Sequence, residues 1–146
     1  MKIEEIQKLW NIDCVIDDTE LDSESLKIPE LHNKYLKIFS EEKLKLVRMY
    51  SKQKELRRLK WLYYTGKLDQ ETLENLEWNV FELDIKKNRN DLEMFIDSDK
   101  DIVEMNDRIE YHKEKINYLE TIIKSLSTRG FLIKNSIDWK KFTMGA

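Results

Sequence analysis

With 146 residues, the chain is sized for one domain, 1–146, around one core of modest size. It carries 38% charged residues, where an average soluble protein has roughly 25%, yet only three glycines and one proline; sandwiches, barrels and loop-rich enzymes are excluded because they need a turn every 8 to 12 residues or so. A hydrophobic share of 40% excludes a disordered tail, no apolar run approaches the roughly 18 residues of a membrane span, and the net charge of −3 hides blocks of −6 over residues 1–42, +8 over 43–67, −9 over 68–110 and +4 over 111–146.

Residues 3–10, IEEIQKLW, set Ile3, Ile6, Leu9 and Trp10 on one side of a short amphipathic helix. The opening is too acidic for a secretory signal, and the single cysteine, Cys14, permits neither an internal disulfide nor a thiolate zinc site, so a reducing cytoplasm is the expected compartment. After an acidic connector, Asp17 to Ser25, Pro29 suits the first turn of a helix, where its missing N–H needs no partner, and no breaker follows until Gly66. The spacing predicts one basic helix over 29–66. Gly66 suits the left-handed conformation that ends a helix, and Asp69 suits the N-cap of the next. That second helix is expected from about 70 to 95, with Leu73, Leu76, Val80 and Leu83 on one stripe and Trp78, Phe81, Ile85, Leu92 and Phe95 on another.

The carboxylates of Asp97, Asp99 and Asp101 favour the positive end of a helix dipole and open a third helix, which Gly130 is expected to close. Within it, Ile102, Met105, Ile109, His112, Ile116, Leu119, Ile123 and Leu126 follow one another at alternating steps of 3 and 4, four heptads with Ile at every a position. Such a seam packs either within the chain or between subunits. Residues 98–146 are therefore the candidate oligomerisation region, and Ile102, Ile109, Ile116, Leu119, Ile123 and Leu126 its candidate contacts. Beyond Gly130, FLIK is a short apolar run, and residues 136–144 are expected to add a last helical turn or two carrying Ile137, Trp139 and Phe142. The fold expectation is mainly α: long antiparallel helices with a heptad-containing C-terminal helix.

No glycine-rich phosphate loop, H-E-x-x-H or G-x-S-x-G occurs, and His32 and His112 stand far apart with His112 in the heptad core, so hydrolysis and nucleotide use have no visible machinery. The run from Asp97 to Asp101 opens like a calcium loop. It has Ile102 where the turn needs Gly and Arg108 where the twelfth position needs Glu, so helix capping accounts for it better. No metal, no cofactor and no enzymatic activity are expected.

In the +8 block, Lys43, Lys45, Arg48, Lys52, Lys54, Arg57, Arg58, Lys60 and Lys67 stand against Glu55 alone. Its last third, RRLKWLYYTG over 57–66, interleaves cations with aromatic rings. Cations neutralise phosphates and release counterions while exposed rings stack on unpaired bases of any identity, a mixture suited to single-stranded nucleic acid. Lys52, Lys54, Arg57, Arg58, Lys60, Tyr63 and Tyr64 are the candidate contacts. The plainer alternative is a solvated helix paired with the acidic blocks on either side, its aromatics in the core, which makes the chain a helical scaffold or adaptor. At about 100° per residue the cations ring the helix, so that Lys45, Arg48 and Lys52 share a face that Arg58 does not. A helix that reads duplex DNA gathers its contacts on one side, which disfavours a duplex regulator.

Four short stretches, in order, resemble the UvsY-type recombination mediators of T4-like bacteriophages: Val15-Ile16-Asp17-Asp18-Thr19; Arg58-Leu59-Lys60 followed by Tyr63-Tyr64-Thr65-Gly66; Asp99-Lys100-Asp101; and Thr128-Arg129-Gly130-Phe131-Leu132-Ile133-Lys134, with Phe142 beyond. Residues 70–96 carry none of the resemblance. It implies a non-enzymatic protein that assembles into a ring-like homo-oligomer of roughly hexamer to heptamer size, binds single-stranded DNA, and helps a UvsX-type recombinase replace the phage single-stranded-DNA-binding protein in the infected host cell. Arg58 and Lys60 take the slots of the family's DNA-contacting motif, where relatives carry Lys and then Arg. The charges are kept, but a planar guanidinium fork and an ammonium point charge differ geometrically. Arg57 adds a charge where the family tends to be apolar. The resemblance also implies that the C-terminal region drives assembly, where the heptads lie.

Overall fold

The computed structural model describes residues 1–82 and 89–145. Among them are five helices and no strand: α1 (Ile3–Asp13), α2 (Leu21–Tyr64), α3 (Gln70–Leu76), α4 (Arg89–Asp97) and α5 (Lys100–Thr143). None of the described helices is long and apolar enough to cross a membrane. The chain divides into two compact units, one formed by Met1–Lys45 with His112–Ala146, the other by Leu46–Tyr111. Each has its own buried cluster.

In the first unit, Ile6, Tyr35, Leu119, Ile122 and Leu126 form the core, and Leu9, Trp10, Leu31 and Phe39 pack against it. The apolar stripe read in α1 thus supplies Ile6, Leu9 and Trp10. Glu24 pairs with Arg129 and Glu42 with His112, so the parts of α2 and α5 in this unit run antiparallel. Arg129 also donates to the carbonyls of Asp13 and Val15, at 2.7 and 3.0 Å, which pins the chain where it leaves α1.

Two expected boundaries are wrong here, for the same reason. Pro29 does not open α2 but lies inside it, at a loss of one backbone hydrogen bond and about 3 kcal/mol, because the helix already begins at Leu21. Leu21 and Glu24 are buried, and the grip of Arg129 on Glu24 anchors that first stretch. Gly130 does not close α5, which continues to Thr143. Glycine in a helix interior costs about 1 kcal/mol relative to alanine, and buried Arg129 and Ile133 on either side hold the helix through it. A Cβ at this position would stand 4.0 Å from Ile28 Cδ1, an ordinary contact, so space is not what keeps the glycine.

In the second unit, Leu92, Ile96 and Ile102 are buried, with Leu56, Tyr64, Phe81 and Phe95 packed against them. The end of α2 is as read: Gly66 takes a φ of 69°, Lys67 N–H donates to the Leu62 carbonyl at 2.9 Å and Gly66 N–H to that of Tyr63 at 3.1 Å. Asp69 caps α3 by accepting from Thr72 N–H at 2.7 Å. That helix stops at Leu76 and does not reach 95, because Glu77 adopts a φ of 58° and Trp78 N–H folds back on the Leu73 carbonyl. The left-handed turn costs a non-glycine residue about 1–2 kcal/mol. Its return is aromatic packing: Trp78 and Phe81 reach Tyr63, at ring-centroid distances of 5.2 and 5.9 Å. Of the two stripes expected on one continuous helix, Leu73 and Leu92 are buried, Val80 is exposed, and Leu83 and Ile85 lie outside the described residues.

Most of the heptad seam of α5 is buried within the chain. Ile102, Ile109, His112, Leu119 and Leu126 are buried, and Met105, Ile116 and Ile123 half-buried. His112 Nε2 donates to the Glu42 carbonyl at 2.7 Å, the hydrogen-bonded core histidine that its position implied. Near its end α5 exposes Phe131, Leu132, Trp139 and Phe142, followed by Met144 just beyond it, and Trp139 and Phe142 stack at 5.8 Å.

Candidate nucleic-acid interface

The basic belt lies on α2, and the helix sorts its residues by direction. At about 100° per residue, Lys54, Arg57, Arg58 and Trp61 fall within an arc of about 100°, while Arg48 and Lys52 occupy another side. Lys52, Lys54, Arg57 and Arg58 are exposed. Trp61 is 40% exposed, and the Lys67 ammonium lies 4.3 Å from the centre of its ring. Arg57 Nη1 donates to Asp97 Oδ1 at 2.9 Å, a pair open to solvent on both sides and therefore of little energy.

Lys60, Tyr63 and Tyr64, expected to contact DNA, are instead engaged by partners within the protein. Lys60 is only 4% exposed, with its Nζ 3.1 Å from Asp99 Oδ2 and 2.8 Å from Asp101 Oδ2, and 3.9 Å from the centre of the Trp78 ring. Tyr64 donates its hydroxyl to Asp99 Oδ2 at 2.6 Å, and Tyr63 donates to the Asn79 carbonyl. The rings of both pack into the aromatic cluster, with Tyr64 4.8 Å from Phe81 and Tyr63 5.0 Å from Tyr64.

Asp99 is the hub of this arrangement. Its Oδ1 accepts from the N–H groups of Asp101 and Ile102 at 2.9 and 3.3 Å and so caps α5, while Oδ2 holds Lys60 and Tyr64. Burial by itself raises its pKa. The hydrogen bonds from Tyr64 and Lys60 and the charge of Lys60 outweigh that and hold it below the ordinary 3.8. Tyr64 is pushed well above the usual tyrosine range, first by burial and then by the facing carboxylate. Lys60 is therefore bound to two carboxylates that would compete with any phosphate, and its place in this fold is that of an anchor between α2 and the start of α5.

Beside the outward arc, α2 and α4 border a cleft of about 230 Å³ lined by Arg57, Trp61, Arg89, Leu92, Glu93 and Ile96. Arg89 belongs to the stretch that carried no motif, and only the return of α4 to α2 brings it into reach of the belt.

Residues 9–146 match the family described as "Recombination, repair and ssDNA binding protein UvsY". The recombination protein uvsY of Enterobacteria phage T4 is 23% identical over 145 residues, which cover 99% of either chain. Two crystal structures of the bacteriophage T4 recombination mediator protein UvsY share the fold. The lattice type II structure aligns over 99% of this chain and 98% of its own at 22% identity with a TM-score of 0.82. The lattice type I structure aligns over 95% and 98% at 22% identity with a TM-score of 0.81.

Proposed function

The chain belongs to the UvsY family of recombination, repair and single-stranded-DNA-binding proteins, and from that premise we propose that it is a non-enzymatic mediator that binds single-stranded DNA and helps a UvsX-type recombinase replace a phage single-stranded-DNA-binding protein. The observation that carries this reading is the outward arc of α2, where Lys54, Arg57 and Arg58 stand exposed beside a partly exposed Trp61 on a chain whose net charge is negative. Phosphates meet the cations and unpaired bases meet the ring. Arg58 is the motif residue that reaches DNA, and Lys60 holds the helix that presents it. Lys52 adds charge on the neighbouring side of α2.

A single copy offers few cations and binds weakly at physiological salt. Several linked copies raise the effective concentration of sites and multiply avidity without new contacts, so assembly is part of binding. Most heptad residues are buried within the chain, and the exposed apolar end of α5, with Phe142 at 75% exposure, offers a further surface through which copies join. A ring of roughly hexamer to heptamer size built this way would bend the strand, weaken the competing protein and present DNA to the recombinase.

Gel filtration coupled to light scattering, run with and without a labelled oligonucleotide at low and high salt, tests the reading. A discrete oligomer that carries single-stranded DNA and releases it as salt rises is the expected result. A monomer or dimer that ignores DNA at low salt would leave a helical adaptor.

A further inference from the structure

The geometry points to the cleft beside Trp61 as a seat for one unpaired nucleobase, with a flanking backbone phosphate between Arg57 and Arg89. This inference rests on the single-stranded-DNA reading above and assigns it a specific place. Three observations converge on it. The cleft combines an aromatic ring with an apolar floor, Leu92 and Ile96, which is a surface for a flat, weakly polar ring system. Two guanidiniums border it, and each meets a solvent-open carboxylate: Arg57 pairs with Asp97 at 2.9 Å and Arg89 with Glu93 at 3.3 Å. Such exposed pairs exchange readily for a phosphate, whose planar bidentate recognition suits arginine. The volume, about 230 Å³, is below the roughly 300 Å³ at which drug-sized ligand sites begin and suits a single ring system, not a stacked pair.

The surrounding charge favours the same occupant. Lys54, Arg58 and Lys67 are exposed beside the cleft's own arginines, and Lys67 lies over the Trp61 ring. A strand tracking this arc meets cations at its phosphates and one aromatic platform at its bases. Glu93 and Asp97 supply the opposing charge, which turns away an acidic ligand that has no base to bury. Because every base has a π-face, the seat discriminates single strand from duplex and tolerates any sequence.

The test compares a poly-dT oligonucleotide with a fully abasic strand of the same length and phosphate number, using the whole protein. Wild type is expected to bind poly-dT about tenfold more tightly than the abasic strand, the range that loss of one base-stacking contact produces. Trp61→Leu, which keeps apolar volume in the cleft but removes the ring, is expected to abolish most of that difference; Trp61→Phe is expected to retain it. Equal wild-type affinity for the two strands, or a Trp61→Leu loss that is the same on both, would overturn the base seat and leave the single-stranded-DNA reading standing. Wild type binding neither strand would overturn both. The wild-type comparison needs no variant, so a misfolded substitution does not blur the outcome.

Discussion

Alanine at Lys60 is expected to destabilise the protein by about 3–5 kcal/mol, the range for removing one partner of a buried ion pair. Alanine at Arg58, two residues earlier in the same basic motif, is expected to leave stability unchanged and weaken binding to single-stranded DNA. The reason lies in where the two side chains point. Lys60 is the cation that balances Asp99, whose carboxylate is buried, caps α5 and takes the Tyr64 hydroxyl. Without it an unpaired charge stays in the interior at the junction of α2, α5 and the aromatic cluster. Arg58 is exposed to solvent. Urea denaturation followed by circular dichroism reads the first effect, and fluorescence anisotropy with a labelled oligonucleotide the second. Replacing both partners, Lys60→Met with Asp99→Asn, is expected to recover much of the stability, since the desolvation of two charges goes with them. A Lys60→Ala protein as stable as wild type would show that the ammonium is not an anchor.

The second large effect is expected at Glu42. Its side chain is 2% exposed, and Oε2 lies 2.8 Å from Lys115 Nζ and 3.3 Å from His112 Nε2, while Oε1 lies 3.1 Å from Lys45 Nζ. Glu42→Gln keeps the shape but removes the buried negative charge that Lys115 and Lys45 face, for a loss of about 3 kcal/mol or more. Acid works on the same site. Burial tends to raise the Glu42 pKa, but the hydrogen bonds and charges of Lys115 and Lys45 hold it below the ordinary 4.5, and Asp99 is likewise held below 3.8. For a depressed carboxylate, the stabilisation is fully present above the unfolded value and lost as pH falls through the lower folded one. Thermal midpoints of the wild type are therefore expected to be flat above pH 5 or so and to fall steeply through the acid range, and the fall is expected to be shallower in Glu42→Gln. Parallel acid profiles for the two proteins would contradict the assignment.

Much of this architecture is legible in the sequence, and what is not has a common cause. Gly66 and Asp69 mark the turn after α2 because both act through local backbone chemistry, and they appear where expected. The heptads from Ile102 to Leu126 announce a buried seam, though periodicity cannot say whether the partner helix belongs to the same chain. Pro29 and Gly130 mislead because contacts distant in sequence, Arg129 with Glu24 above all, stabilise helix where local propensity would end it. The end of α3 at Glu77 carries no glycine to announce it. At the interface, composition correctly gathers the basic belt on one helix. It does not separate Lys60 from Arg58, because that depends on Asp99 arriving from far along the chain, and it gives no hint of Arg89, which α4 returns to the belt.

The central claim, that the outward arc of α2 carries the DNA contacts, is tested most directly by the salt dependence of binding to a single-stranded oligonucleotide. Each phosphate contact contributes about 0.7 to the slope of log affinity against log salt on a single strand. Replacing Lys54, Arg57 and Arg58 together with alanine is expected to flatten the wild-type slope by about 2, with helicity unchanged. A slope equal to the wild type's would place the phosphates elsewhere and contradict it.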